Sequence, residues 1–348
     1  MNEEFYINTF NCEAILDRIF FVSSDMNLVL EYFQDKNELI LLSPPDENMF
    51  EVGLYGNVVV VNDVIFVIPF NAKNIWKFCD QNRWEKVPYS GFKYKDKFLG
   101  AIPVGNYIYL LGYGRKEIYK FNTLTNHITE LRIDIESKLM KIDEVGFLGS
   151  DYEIVGERIF APVMCANKIL EIIPEKDLIN VIDVPSKSNG YSGIIYDENG
   201  FWLAPRKGRY FVHWCLNGKT EEYELPKEYT NDDIYFGGAY KEKNHIIFTA
   251  FLGKNFKFNP KFPSEYEMFE PSIYYCKRLN NNGKVIHERN GKTYYIDLNG
   301  NRRKLNLSIP SVNRLEYIGK YMNNKTILSE GEKLSLYEYL KVIKYCLS

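Results

Sequence analysis

The chain has 348 residues, a formal net charge of −3 and an isoelectric point of about 6.0. Nucleic-acid partners generally need a basic face, so this balance argues against them. No run of 18 or more apolar residues is present, so no membrane-spanning helix is expected. Met1 to Phe5 is acidic and lacks the apolar core of a secretory signal. The six cysteines are scattered without a C-x-x-C pair, which reads as reduced thiols and a cytoplasmic setting. Aromatic residues make up 16%, mostly Tyr and Phe, types that suit the half-buried surface of a sheet.

In chain order, the pattern is three short apolar strands after a small-residue mark, repeated seven times. Phe10-Asn11-Cys12 leads to Ile19–Val22, Leu28–Phe33 and Leu39–Leu42. Leu54-Tyr55-Gly56 leads to Val64–Ile68, Ile75–Phe78 and Trp84–Val87. Phe98-Leu99-Gly100 leads to the most regular copy, Tyr107–Leu111, Ile118–Phe121 and His127–Leu131, with Gly and Asn in its turns. Residues 134–146 then interrupt the period, and Ile135, Leu139 and Ile142 there suit one short helical face.

The pattern resumes. Phe147-Leu148-Gly149 precedes Arg158–Phe160, Ile169–Ile172 and Ile179–Val184. Tyr191-Ser192-Gly193 precedes Phe201–Leu203, Tyr210–Trp214 and Glu222–Leu225. Phe236-Gly237-Gly238 precedes Ile246–Phe248, Phe256–Phe258 and Tyr266–Phe269. Tyr274-Tyr275-Cys276 precedes Lys284–His287, Thr293–Ile296 and Lys304–Leu307. Steps of 44, 44, 49, 44, 45 and 38 between the small residues fall in the range of propeller blades.

The expected fold is therefore all-β: a seven-bladed β-propeller of four-stranded antiparallel blades over residues 5–309, with blades starting near 10, 54, 98, 147, 191, 236 and 274. The small residue would begin each innermost strand, where blades crowd the axis. A six-bladed ring is the alternative if the terminal copies are not blades. Phe5-Tyr6-Ile7 is a candidate closing strand, since an open edge would otherwise remain. The tail, 310–348, should carry a helix over about 329–346. Ser329 would be its N-cap, and Leu336, Leu340, Ile343 and Leu347 would face the propeller or a second copy.

The stretch Tyr107 to Leu131 resembles a kelch repeat, and Trp84 and Gly237-Gly238 fit parts of that pattern. The resemblance implies a propeller and often a binding role, and transfers no functional residue.

Strand order puts the turns between second and third strands (B–C) and the inter-blade loops (D–A) on one face. Loops on a rigid scaffold tend to carry function. Six of the seven B–C turns contain Lys or Arg and no acid. Lys73, Arg115, Lys168, Arg206, Lys207, Arg209 and Lys254 are the candidate ligand-binding residues, because a ring of cations at a channel mouth attracts anions. Arg206 and Arg209 would fork onto a carboxylate or phosphate. The competing reading is that Lys, Asn and Gly are ordinary turn residues. Tyr89, Phe98, Tyr191, Tyr235 and Phe236 would add aromatics to that face, or pack in the core.

Inner strands should bring Glu13, Asn57, Ser150, Asp151, Lys277 and Arg278 to the axis. Those charges would pair, or Glu13 and Asp151 would hold a cation. The reading assigns no metal and no cofactor. His287, beside the basic turn, is the candidate general base, Asp151 the other catalytic candidate, and Cys165 a thiol next to Lys168. The expectation is a non-catalytic propeller that binds an anionic small molecule, peptide or glycan on this face. The alternative is a lyase or hydrolase with its site at the channel mouth.

Overall fold

The computed structural model describes residues 4–24, 27–42, 44, 53–79, 83–88, 94–133, 142–229, 233–270, 273–279, 283–288 and 291–310. The expected tail helix, 329–346, lies outside the described residues. Seven four-stranded antiparallel sheets form the seven blades, each built from one contiguous stretch in simple up-and-down order. Both terminal copies are complete blades, so the six-bladed alternative falls.

Strand character changes outward, and the sequence shows why. The B strands, such as Arg18–Ser23, Val64–Pro69 and Tyr107–Gly112, are buried at every residue after the first. They are continuous apolar runs because a neighbouring blade covers each face. The outer D strands, such as Glu38–Leu42 and Thr220–Glu224, mix polar with apolar residues and stay partly exposed. Seven hydrophobic clusters fill the seven gaps between adjacent blades. The core is thus a ring of wedges. Between blades 5 and 6, Trp202, Phe211, Phe248, Phe256 and Phe258 interlock with ring centroids as close as 4.9 Å.

The innermost strands are Thr9–Ile15, Tyr55–Val61, Phe98–Val104, Glu153–Val155, Asn189–Tyr196, Phe236–Glu242 and Ile273–Arg278. The sequence mark coincides with a β-bulge in six of them, at Thr9/Asn11, Tyr55/Asn57, Phe98/Gly100, Tyr191/Gly193, Phe236/Gly238 and Ile273/Tyr275. A bulge adds one residue and re-aims the strand. The small residue is needed because the next blade's backbone lies against it. A Cβ on Gly100 would sit 2.5 Å from the Gly149 carbonyl oxygen, and one on Gly193 would sit 2.7 Å from the Gly238 carbonyl carbon. Blade 4 departs from the pattern: Leu148 forms only an isolated bridge to Val163, and its inner strand starts late. Of the preceding insertion, Ile142–Val145 is a single helical turn, with Val145 buried in the cluster between blades 3 and 4, while Ile135 and Leu139 lie outside the described residues.

Closure uses the predicted N-terminal segment. Glu4–Tyr6 pairs antiparallel with Ser308–Pro310, and the Ile7 amide donates to the Leu307 carbonyl at 3.0 Å. Thr9 Oγ1 and the Tyr275 hydroxyl meet at 2.8 Å across the seam, and Arg303 donates twice to Gln34, each at 3.0 Å.

Candidate functional site

The B–C turns and D–A segments do share a face, and backbone hydrogen bonds lace them together. Phe70 donates to Leu54 (2.7 Å), Lys97 to Phe70 (3.0 Å), Tyr113 to Lys97 (2.7 Å), Phe147 to Tyr113 (2.6 Å) and Met164 to Phe147 (2.8 Å). This relay runs through blades 2, 3 and 4 and ties together the rim of the channel mouth on that side.

An arc of aromatic rings follows the rim. Phe10 and Phe70 lie 6.0 Å apart, and Phe70 and Tyr113 lie 5.4 Å apart. All three are half-buried, and Phe251 of blade 6 is 38% exposed. Gly146, at φ +80°, leaves the space that the Tyr113 ring and Met164 occupy: a Cβ there would meet them at 2.5 and 2.6 Å. Arg206 is only 6% exposed. Its guanidinium lies 5.4 Å from the Phe251 centroid, and Nη1 donates to the Phe236 carbonyl at 3.2 Å. Its Nε has no hydrogen-bond partner among the described residues. Burial pulls the Arg206 pKa below its ordinary value, partly opposed by Tyr113, which is close enough to act on the charge.

The seven basic candidates do not form a uniform ring. Lys168 pairs with Asp183, and Arg209 donates to Glu224 (3.0 Å) and to the Leu225 carbonyl (3.3 Å), so acids of the outer strands meet two of the cations. Arg115 stacks over Tyr94 at 4.2 Å. Arg206 belongs to strand Phe201–Lys207 and turns inward. Lys73 and Lys254 are exposed on the rim and Lys207 is half-buried beside its bridge to Ile234.

The aromatics expected on this face divide. Phe98, Tyr191 and Phe236 are fully buried, with the Tyr191 hydroxyl donating to the Val184 carbonyl at 2.9 Å. Tyr235 stays half-buried, and Tyr89 lies outside the described residues. The rings that do line the mouth, Phe70, Tyr113 and Phe251, each begin a B–C turn. A repeat-by-repeat alignment of that one position would have found them.

His287 is 1% exposed. It is stacked 5.4 Å from Tyr275, and its Nδ1 is 2.7 Å from Thr293 Oγ1. Burial holds its pKa at about 4. It is a neutral interior histidine at physiological pH. Burial pushes the Cys165 thiol up to about 11, which suppresses the thiolate.

At the axis, Asp151 reaches from blade 4 past blade 5 to blade 6. Its carboxylate accepts from the Ala239 amide at 2.7 Å, and the Ile194 backbone also bonds it. Burial lifts it to about 7, against those hydrogen bonds, and lifts Glu153 likewise to about 7. Glu13 is buried and accepts from the Ala14 amide at 3.0 Å, and Asn57 donates to the Leu99 carbonyl at 3.2 Å. Among the described residues, no group of three or more His, Cys, Asp or Glu side chains is placed to hold a metal ion.

No family model and no curated protein matches the chain. Solved structures match as folds. A streptogramin B lyase superposes with a TM-score of 0.60 at 13% identity over 85% of this chain and 94% of that one. A catalytically inactive virginiamycin B lyase from Staphylococcus aureus with quinupristin gives 0.64 at 11% identity, covering 84% and 97%. BamB from Moraxella catarrhalis gives 0.56 at 9% identity, covering 87% and 91%. Identities this low carry the propeller fold and nothing about activity. No helix among the described residues is long and apolar enough to cross a membrane.

Proposed function

We propose that this protein is a non-catalytic binding propeller that takes an acidic peptide or glycan on the face of its B–C turns and D–A loops. The observation that carries the reading is the arc of half-buried rings at the mouth, Phe10, Phe70 and Tyr113, together with Phe251 of blade 6 packed on Arg206. Aromatic and arginine side chains dominate binding hot spots, and a laced rim presents them without an ordering cost. Exposed Lys73 and Lys254 add positive charge at the edge, which steers an anionic partner and favours its approach. A cytoplasmic setting belongs to the same reading and is supported by the unpaired state of Cys12, Cys79, Cys165, Cys215 and Cys276.

A second reading, a lyase or hydrolase, draws on one observation. Asp151, at about 7, has the affinity for a proton that general acid–base chemistry uses.

The test is an array of acidic peptides, uronic-acid glycans and sulfated glycans, followed by interferometry on each hit. Tyr113→Ala and Phe251→Ala should each weaken the hit about tenfold, a loss of about 1.4 kcal/mol that fewer than a third of interface residues reach. Asp151→Asn should leave affinity unchanged. Turnover of the hit that disappears in Asp151→Asn would replace the binding reading with the catalytic one.

A further inference from the structure

Away from the mouth, toward the opposite face, the inner strands enclose a cavity of about 830 Å³, within the roughly 300–1,000 Å³ typical of small-molecule sites. The inner strands of blades 4 to 7 line it, with Glu13 of blade 1. Lys243, at the A–B turn of blade 6, and Leu298, at the C–D turn of blade 7, mark the opening.

Its charge is lopsided. Lys241, Lys243, Lys277, Arg278 and Lys284 line it, against the carboxyls of Glu13, Asp151 and Glu153. The cations outnumber the acids even with every carboxyl ionised. Asp151 and Glu153, both near 7, carry only part of their charge at neutral pH.

Lys277 is the informative residue. It is 8% exposed and lines the cavity, and its Nζ lies 5.5 Å from the centre of the Tyr152 ring. Its backbone pairs with Val285 in the blade 7 sheet, while among the described residues its Nζ makes no side-chain hydrogen bond or ion pair. Burial works against its charge, yet Tyr152, Glu13, Cys12 and Asp151 together raise its pKa, so it remains an ammonium. Its ammonium carries three donors, and the space it faces is the cavity. Such a group facing an open cavity wants an oxyanion. Tyr152 and Tyr240 give the same cavity flat apolar walls.

We infer that this axial cavity is a binding site for a small organic anion, a carboxylate or phosphate ester about the size of a monosaccharide, with Lys277 as its central contact. Lys241 and Arg278 would meet the anion at the opening. Asp151 would accept from or donate to a hydroxyl beside the charged group. The site lies on the opposite face from the aromatic arc and does not depend on what binds there.

Isothermal titration of the full-length protein with glucose 6-phosphate, glucuronate, citrate and inorganic phosphate tests it, with glucose as the neutral control. At least one anion should bind with one-to-one stoichiometry, and glucose should not. Lys277→Met should weaken that anion tenfold or more, and Lys277→Arg should retain it. Asp151→Asn, which removes a negative charge from the cavity wall, should tighten it at pH 8. Tyr113→Ala should leave it unchanged, which separates this site from the mouth. Because Lys277→Met leaves Glu13 without its neighbouring cation, the Lys277→Met/Glu13→Gln double variant repeats the measurement with charge balanced. Four silent anions, or affinity that survives both Lys277→Met variants, would overturn the inference.

Discussion

Gly193→Ala measures how tightly the ring is packed at its axis. A Cβ at this position would lie 2.7 Å from the Gly238 carbonyl carbon and 2.8 Å from both the Ala239 amide nitrogen and its Cβ. Ordinary contact begins at 3.4 Å, so blades 5 and 6 must part by about 0.7 Å, the difference of those two distances. The obstacle is largely backbone, so no side chain can rotate away. In a closed ring the shift cannot be dissipated at a free edge and must be shared by the other interfaces. Overpacking of this kind costs about 1–3 kcal/mol. Unfolding entropy near 2.1 cal/mol/K per residue gives about 0.7 kcal/mol/K for the chain, so the melting midpoint should fall by about 1.5–4 °C. Differential scanning calorimetry reads this directly. Gly237→Ala is the control: the nearest atom to its Cβ is Phe251 Cβ at 3.8 Å, so its midpoint should hold or rise. A Gly193→Ala midpoint within half a degree of wild type, or an equal fall in Gly237→Ala, would refute the idea that this contact sets the blade spacing.

Two acid-sensitive sites give further tests. Asp197 accepts from Trp202 Nε1 at 2.5 Å, with His213 Nε2 at 3.6 Å. Burial alone would raise its pKa, but His213 and Trp202 outweigh it and hold the carboxyl below its usual range. The stability it contributes is therefore present above about pH 4 and lost as pH falls through the folded value. Asp197→Asn should cost about 1.5–3 kcal/mol in urea denaturation at pH 7 and much less at pH 3; an equal cost at both would contradict the assignment. His287, held near 4 by burial, must stay neutral in the fold while the unfolded chain protonates near 6.5. Wild type should lose up to about 3 kcal/mol between pH 6.5 and 4 on this account. His287→Gln should flatten that window, and parallel pH profiles for the two proteins would exclude it.

The ring was readable because its signal is redundant. In six of the seven blades the mark reports a bulge in the inner strand, and the apolar B strands report burial on two faces. Both recur at one spacing. The period and the small-residue marks pointed to the propeller; the kelch resemblance of Tyr107 to Leu131 adds no family, since no family model matches. The site was less legible, because its charges are matched through register. Lys168 faces Asp183 and Tyr210 faces Glu224 directly across strands C and D, and that pairing depends on where each turn closes. A turn that reads as basic in one dimension is neutralised by a residue 15 positions later, as with Arg209 and Glu224. His287 stood out as a candidate base because the basic turn follows it, yet its own side chain is buried against Thr293. Lys277 was visible as an axial charge. That it faces open space follows only from the cavity that blades 4 to 7 and Glu13 of blade 1 leave between them.

The clasp also sets how the molecule responds to being pulled. Glu4 stands opposite Pro310 and Tyr6 opposite Ser308, so the two segments leave the ladder from the same end. Tension on them peels the pairs one at a time, the weakest loading direction for an antiparallel ribbon. No blade borrows a strand from the other end of the chain. Once the clasp has peeled and the apolar wedge between blades 7 and 1 has parted, the circle would spring into an open crescent with all seven sheets intact, a seam that yields before the fabric does.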